Sequence, residues 1–471
     1  MIINTVLLDK KRYKLVDDDY CSKNNAFTII VGSNGKGKSR LLKRIVNNVK
    51  NVTYDGEKIP RNYTRQIDFD IDGYKSCFYS PISESKSYIS KDKIEILRLD
   101  SDVNVLAVTT TPFDKFPVEY KGNELFRYSD NHRYTYIGLK VSKNSLNQSN
   151  YLNLLARSLL TSDKIFENER LFELLKLLPH AKIQFKSKLP VRESDLISYN
   201  YKTKKFDKSK LDFRLLLSRV SVHHSTIFEK IKKEEQSEHV FESYIKCYYL
   251  LENPIDPTRK DIPKKELLYL LDIGLINVSD VIFIDDKRLE ELKSSDLSSG
   301  QKCMILTLLN IAGSITDNSV VCIDEPEISL HPKWQREFMR VLIEFFSGYK
   351  RCHFIIATHS PLIISELSNE NCHILNMDDG YAKKSEKYTN MSSDYQLAEV
   401  FGIAGNNNEY LNRIVVSLLS KLSVERDLDQ EDRLKLKTLI KLSKEMEDGD
   451  NVKELINILN FAWSKVSKNV K

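Results

Sequence analysis

Glycine is scarce in this chain, 15 among 471 residues, yet Gly32, Gly35 and Gly37 fall almost together. They follow an apolar run, Phe27-Thr-Ile-Ile-Val31, and precede Leu41, Leu42 and Ile45 at helical spacing. A buried strand, a glycine turn and a helix start in that order constrain the fold more than any other feature, because they demand a strand edge and a helix N-terminus at one point. The glycines let successive backbone N–H groups of Gly32-Ser33-Asn34-Gly35-Lys36-Gly37-Lys38-Ser39 face an anion, with Arg40 just beyond. Lys38 then reaches β- and γ-phosphate oxygens, and the Ser39 hydroxyl is placed to hold Mg²⁺. This reads as a phosphate-binding loop of the Walker A pattern.

A second apolar strand, Ser319-Val-Val-Cys-Ile323, ends in Asp324-Glu325-Pro326. After a phosphate loop, that pair reads as a Mg²⁺ ligand, Asp324, and a carboxylate that orients or deprotonates water, Glu325. An acidic pair at a strand end is otherwise often a helix cap, so the order along the chain carries the assignment. A third strand, Phe354-Ile-Ile-Ala357, delivers Thr358-His359-Ser360-Pro361, and His359 stands where a γ-phosphate sensor is needed. Upstream, Asp296-Leu-Ser298-Ser299-Gly300-Gln301 precedes a helix carrying Met304, Leu306, Leu308 and Leu309. Taken alone this is a serine-rich helix cap.

The chain carries 72 basic and 66 acidic residues, net +6, too near balance to argue for a nucleic-acid partner globally. The longest apolar runs fall far short of the roughly 18 to 20 residues that cross a bilayer. Asp9, Lys10, Lys11 and Arg12 interrupt the start before a signal peptide could form, so a cytoplasmic protein without membrane association is expected. Seven scattered cysteines, with no Cys-x-x-Cys pair, read as reduced structural thiols.

Strand-like and helical runs alternate over residues 1–108 and again over 281–390, which predicts one head built from two pieces. The stretch 109–280 is rich in Lys and Leu. Leu171, Leu174, Leu175 and Leu178 predict a helix there, capped at Asn168 and stopped by Pro179, so a largely helical insertion serving as lid, sensor or docking element is expected. Residues 391–471 predict a helical tail, with Leu411, Ile414, Val415, Leu418 and Leu419 on one face and a second amphipathic run from Val452 to Val466. No repeat period points to a solenoid.

The four motifs in this order resemble those of ABC ATPases, with Leu297-Ser-Ser-Gly-Gln301 similar to the ABC signature except that Ser299 stands where glycine is usual. The phosphate loop looks more like the SMC, RecF and OLD branch than a transporter. Asp324-Glu-Pro-Glu-Ile-Ser-Leu-His331-Pro332-x-Trp334-Gln335 and the Thr-His-Ser-Pro switch narrow the resemblance to OLD-like ATPases. Val108–Phe116 and Ser393–Gly402 are similar to the ATPase subunits of anti-phage systems, the Septu PtuA-like and retron-associated ATPases.

The resemblance implies an α/β fold: a P-loop ABC-type ATPase head with a parallel-rich sheet, a large mostly helical insertion and a helical C-terminal tail. It implies a homodimer or higher oligomer in which Ser298, Ser299, Gly300 and Gln301 meet the ATP of the other subunit. It further implies an ATPase that controls a separately encoded effector nuclease of HNH or TOPRIM type. The alternative is a RecF- or SMC-like DNA-metabolism ATPase that binds DNA itself. Gln66 and the Pro112-Phe-Asp114 loop both stand as candidates for the family's metal-linking glutamine, and Tyr13 for its adenine-stacking aromatic.

A nuclease site in this chain is not expected. Asp427-Leu-Asp429 matches an Asp-x-Asp metal pattern, but it lies in a polar run with no apolar strand before it, and Glu119-Tyr-Lys121 lacks a partner aspartate strand. Tyr199–Lys210 interleaves lysines with aromatics and reads as a solvated loop, with DNA or RNA contact as the alternative.

Overall fold

The computed structural model describes residues 1–53, 65–71, 74–80, 88–91, 94–96, 103–111, 114–117, 119–121, 124–126, 134–138, 140–142, 145–146, 148–167, 169–188, 199–200, 205–206, 237–248, 250–328, 330–365, 367, 371–388 and 391–469. They fall into two compact units. The first comprises Met1–Pro117, Arg127–Tyr136 and Thr316–Lys471, and the second Val118–Phe126 and Ile137–Ile315.

The first unit is built on a seven-stranded sheet in the order Tyr134–Ile137, Val105–Thr109, Val320–Asp324, His353–Ala357, Ala26–Val31, Cys372–Asn376, Ala382–Lys384. Pairing is parallel from Val105–Thr109 through Cys372–Asn376 and antiparallel at the last strand. Every residue of the strands at 26–31, 105–109, 320–324 and 353–357 is buried, which explains their unbroken apolar runs: a sheet covered on both faces has no polar side to alternate with. Phe27 stacks on Phe354 with ring centroids 5.0 Å apart. The helix Lys38–Thr53 buries Leu41, Leu42, Ile45, Val46 and Val49 against this sheet. A second, antiparallel sheet runs Lys11–Lys14, Ile2–Leu8, Arg65–Ile71, Tyr74–Ser80, Tyr88–Lys91, Ile94–Ile96.

The C-terminal residues of the same unit form three helices, Glu409–Glu425, Gln430–Ser443 and Asn451–Asn469, around a core that includes Leu411, Val415, Leu418, Leu436, Leu439, Ile456 and Leu459. Asp429 caps the middle helix by accepting from the Asp432 N–H at 2.8 Å, and its other oxygen takes a 2.7 Å ion pair from Lys421. Asp427 pairs with Arg433 at 3.0 Å. Among the described residues, no helix is long and apolar enough to cross a membrane.

In the second unit the described residues of the expected insertion include strands as well as helices. Helices Gln148–Thr161, Glu169–Leu175, Ser237–Tyr248 and Lys264–Asp272 are accompanied by an antiparallel sheet of Leu177–Ser187, Ile276–Asp285 and Glu291–Lys293. The predicted leucine helix ends at Leu175. Leu178 and Pro179 lie in the following strand, where Ala181, Ile183 and Phe185 are buried at the two-residue period of a half-exposed sheet. Pro179 is tolerated because the register shifts between Leu177 and Ala181, so it occupies an irregularity in the ladder. The expected cap at Asn168 lies outside the described residues, as does most of Tyr199–Lys210.

The boundary expected at residue 281 falls inside the strand Ile276–Asp285, and residues 281–315, with the signature helix Ser299–Ala312, belong to the second unit. Hydrogen bonds account for this: the Ser158 hydroxyl donates to Asn310 Oδ1 at 2.9 Å, and the Gln301 amide donates to the Leu175 carbonyl at 2.7 Å. A Cβ on Gly313 would stand 2.6 Å from Ser158 Cα, so the two helices meet where no side chain fits. Gly313→Val should therefore cost about 1–3 kcal/mol of stability by overpacking. Gly348→Ala, with nothing within 4 Å, should stay within about 0.5 kcal/mol in the same denaturant titration.

Two histidines lie buried in the head sheet. His353 Nδ1 accepts from the Ile3 N–H at 3.0 Å; Thr28 Oγ1 donates to the Leu15 carbonyl, so His353 Nε2 is the donor to that hydroxyl at 2.9 Å. Burial holds the His353 pKa well below its ordinary value and pushes His373 down to about 4. The unfolded chain takes these protons near pH 6.5 and the folded chain does not, so stability must fall as pH drops from about 6.5 toward 4. Thermal melts at pH 7.5 and pH 5 should show a smaller loss for His373→Phe than for wild type; equal losses would exclude His373 as a contributor.

Candidate functional site

The register of the parallel strands aligns Asp324 with Thr109 on one side and with Ala357 on the other, and Ala357 with Ile30. The loops that follow these strands therefore emerge along one edge, the place where open α/β sheets bind ligands. They are the glycine loop, Thr110–Thr111, Glu325–Glu327 and Thr358–Ser360.

Gly35 and Gly37 sit at φ +80° and +96°, conformations that other L-residues adopt only under strain, and Gly32 packs so that a Cβ would stand 3.2 Å from Met377 Cβ. Asn34, Gly35 and Lys36 are exposed, Ser33, Gly37 and Ser39 half-buried, and Lys38 buried. The Lys38 ammonium donates to the Gly32 carbonyl at 2.7 Å and stands 3.3 Å from His359 Nδ1. Burial lowers its pKa while Glu325, Glu327 and Asp324 oppose the shift. The other two cations of the segment are engaged in surface pairs, Lys36 with Asp378 at 2.7 Å and Arg40 with Asp9 at 3.0 Å.

Ser39 Oγ donates to Asp324 Oδ1 at 3.1 Å, bringing together the two residues predicted to hold Mg²⁺. Burial pushes the Asp324 carboxyl up to about 7, helped by the charges of Glu325, Asp114 and Glu327 and opposed by the Ser39 hydrogen bond. A serine hydroxyl beside a buried carboxylate, ringed by more carboxylates, is a hard-oxygen set short of positive charge, so the donors present fit Mg²⁺.

Glu325 has φ +52°, held there because its N–H donates to the Ala357 carbonyl at 2.9 Å and its carbonyl accepts from Thr110 Oγ1 at 3.2 Å. Strain of this kind, over-determined by its neighbours, gathers at functional sites. Glu325 Oε1 lies 3.7 Å from His359 Nε2. Lys38 can only donate, so His359 Nδ1 must accept and the ring proton sits on Nε2, facing Glu325. Burial and then Lys38 lower the His359 pKa, which favours this neutral form.

The sequence reading assigned no role to Glu327, yet its Oε1 accepts from the His359 N–H at 2.6 Å, and burial raises its pKa. Gln335 Oε1 accepts from the Ser360 hydroxyl at 2.6 Å. Together they fix the switch loop. Both lie in the Asp324–Gln335 stretch, whose polar spacing was the available signal. Asp114 is buried, accepting from Tyr136 OH at 2.8 Å and from the Phe116 N–H at 2.9 Å, and its charge reaches Asp324; Pro112 and Phe113 lie outside the described residues. Gln66 lies in the antiparallel sheet, its amide 3.4 Å from Asp68 Oδ1. Tyr13 is buried, with the Lys11 ammonium 5.1 Å from its ring centroid.

In the second unit, Ser298 caps the helix Ser299–Ala312 in a capping box: its hydroxyl accepts from the Gln301 N–H at 3.3 Å and its own N–H donates to Gln301 Oε1 at 2.9 Å. Ser298 and Ser299 are exposed and Gly300 is buried. Gln301, grouped by sequence with the nucleotide-binding residues, spends both ends of its side chain on this box and on Leu175, which makes it a builder of the loop.

A buried strand, a glycine cradle, a lysine and a Ser–Asp pair define a P-loop head of the kind that binds nucleoside triphosphates. Residues 90–365, more than half of the chain, match the family described as "AAA domain, putative AbiEii toxin, Type IV TA system", and the chain belongs to that family. The matched span begins after the glycine loop. The chain is also 28% identical over 132 residues to "Retron Vc95 probable ATPase" of Vibrio cholerae serotype O1 biovar El Tor, covering 25% of each protein. It is 33% identical over 103 residues to "Retron Ec83 probable ATPase" of Escherichia coli, covering 20% of this chain and 18% of the relative. These alignments span a quarter or less of the curated relatives' length. Among solved structures, the SMC head domain from Thermotoga maritima aligns over 81% of this chain and 97% of its own, at 12% identity and a TM-score of 0.34.

Lys38→Ala removes the charge that the phosphate-loop assignment places against the phosphates. Calorimetric titration with ATP and Mg²⁺ should show affinity reduced by about tenfold to a hundredfold, the worth of a charge-assisted hydrogen bond; unchanged affinity would remove the phosphate assignment.

Proposed function

We propose that this chain is the regulatory ATPase of an anti-phage defence system, acting as a head-to-head dimer that controls a separately encoded effector nuclease. The observation that carries the ATPase part is the convergence of Lys38, Ser39, Asp324, Glu325 and His359 at one sheet edge, within 3.1 to 3.7 Å of one another in the contacts Ser39–Asp324, Lys38–His359 and His359–Glu325. The retron-associated names of the two relatives support the defence setting.

In this reading the γ-phosphate of ATP enters the cradle and takes the place of the Gly32 carbonyl as partner of Lys38. Ser39 and Asp324 would hold Mg²⁺, which when bound would supply neutralisation of phosphate charge. Glu325, fixed by Ala357 and Thr110, orients the attacking water and accepts its proton as phosphate leaves ADP. His359 lies between base and lysine, so it registers whether a γ-phosphate is present, and Glu327 and Gln335 hold its loop. The exposed helix start at Ser298 and Ser299 offers a phosphate-binding surface to the ATP of a second copy. The exposed apolar side chains of the tail, Val416, Val424, Leu434, Ile458 and Phe461, supply surface for an effector.

The purified chain should hydrolyse ATP with Mg²⁺ and cleave neither DNA nor RNA. Glu325→Gln should bind ATP like wild type and turn over about 10²- to 10⁴-fold more slowly, since only the proton acceptor is lost. Wild-type turnover by that variant would move the base elsewhere, and metal-dependent nucleic-acid cleavage lost on mutating Asp427 and Asp429 would make the chain its own nuclease.

A further inference from the structure

The second unit contains a cavity of about 620 Å³, within the range typical of small-molecule sites. Its walls come from the facing strands Leu177–Ser187 and Ile276–Asp285 and from Ser294 and Ser295, the link that leads into the signature loop.

The lining has two chemical faces. Lys186, on the strand Leu177–Ser187, and Lys188, just past its end, bring two cations to the wall, a pair suited to a phosphate, while the hydroxyls of Ser279 and Ser295 donate internally, to the Gln184 carbonyl at 3.0 Å and to Asp296 Oδ1 at 3.1 Å. The lining carboxylate, Asp280, is turned to internal use: its Oδ1 accepts from the Val281 N–H at 2.8 Å, from the Ser294 N–H at 3.1 Å and from the Ser294 hydroxyl at 2.5 Å. Leu152 and Val278, both buried, supply a small apolar part of the wall, which a bare anion would not use but a base or sugar would. Ser294 is buried, and that bond to Asp280 ties the link to the sheet. The next residue is tied to the signature helix: the Lys302 ammonium donates to the Ser295 carbonyl at 2.8 Å, and the Ser295 hydroxyl to Asp296 Oδ1 at 3.1 Å.

We propose that this cavity binds a phosphorylated ligand of mononucleotide size, and that the bound ligand acts through Ser294 and Ser295 on the signature loop to change the rate of ATP hydrolysis. The site is separate from the glycine loop and lies wholly within the second unit. The regulatory half rests on the ATPase reading above; the binding half does not.

The test uses the full chain with its P-loop saturated by Mg²⁺ and a non-hydrolysable ATP analogue, titrated by calorimetry with AMP, GMP, CMP and UMP, and with inorganic phosphate as a separate arm. At least one nucleoside monophosphate should bind once per chain, more tightly than phosphate. Lys186→Glu should weaken that binding by tenfold or more, while Lys186→Arg keeps it; the side chain is exposed, so neither change disturbs the core. Failure of all four monophosphates to bind, or binding indifferent to Lys186→Glu, overturns the site. Phosphate binding as tightly as the nucleotides overturns the ligand class. For the ligand that binds, ATP turnover should change at least threefold in wild type and not in Lys186→Glu. Binding with an unaltered rate overturns the regulatory role, and absence of any hydrolysis without ligand instead strikes at the ATPase reading.

Discussion

The parallel registration of buried strands sets everything else in the head. Residues Val320 to Asp324 pair in step with Val105 to Thr109 and with His353 to Ala357, and the latter with Ala26 to Ile30. A parallel ladder places every strand's C-terminal end on the same edge, so the loops bearing Lys38, Glu325 and His359 converge without further adjustment. A slip of one residue in any of these strands would turn its side chains to the opposite face and carry its loop off the edge. The buried apolar packing, with Phe27 on Phe354 at the centre, is what prevents such a slip.

The electrostatics follow from that convergence. Asp324, Glu325 and Glu327 are gathered around one buried lysine, with Asp114 close enough to raise Asp324. Burial raises the carboxyls of Asp324 and Glu327 and lowers Lys38 and His359, so burial disfavours charge of either sign in this cluster. In the proposed reading, magnesium and a polyphosphate would bring opposite charges to this cluster together. The strained backbone at Glu325 fits the same account, since two hydrogen bonds hold it where a carboxylate can meet water at the phosphate.

Much of this was legible in the sequence, for physical reasons that can be named. Fully buried strands read as unbroken apolar runs, and glycines clustered in a glycine-poor chain mark a backbone that must curl, so the loop at 32–39 and the acids at 324 and 325 stood out. The switch-loop supports did not, because Glu327 and Gln335 act through the loop's backbone and the Ser360 hydroxyl, partners that only folding brings near. In the second unit the leucine period at 171 to 175 was real but stopped short, and the two-residue period after it went unread because Pro179 looked like a terminator instead of a residue in a register shift. The boundary at 281 failed likewise: hydrogen bonds from Ser158 to Asn310 and from Gln301 to Leu175 carry the signature helix into the second unit, and pairings so distant in sequence leave no local trace.

The central claim is that each ATP is shared between two copies, one supplying Lys38 and the other the helix start at Ser298–Gly300. Mixing Lys38→Ala subunits with Gly300→Asp subunits, and measuring ATP turnover after heterodimers are verified by mass, tests it most directly. Each parent has two damaged sites, whereas the mixed dimer has one site with neither lesion. The account predicts recovery to about a quarter of wild-type turnover when subunits pair at random and sites act independently. Turnover no greater than the sum of the two parents, with heterodimers present, would contradict it.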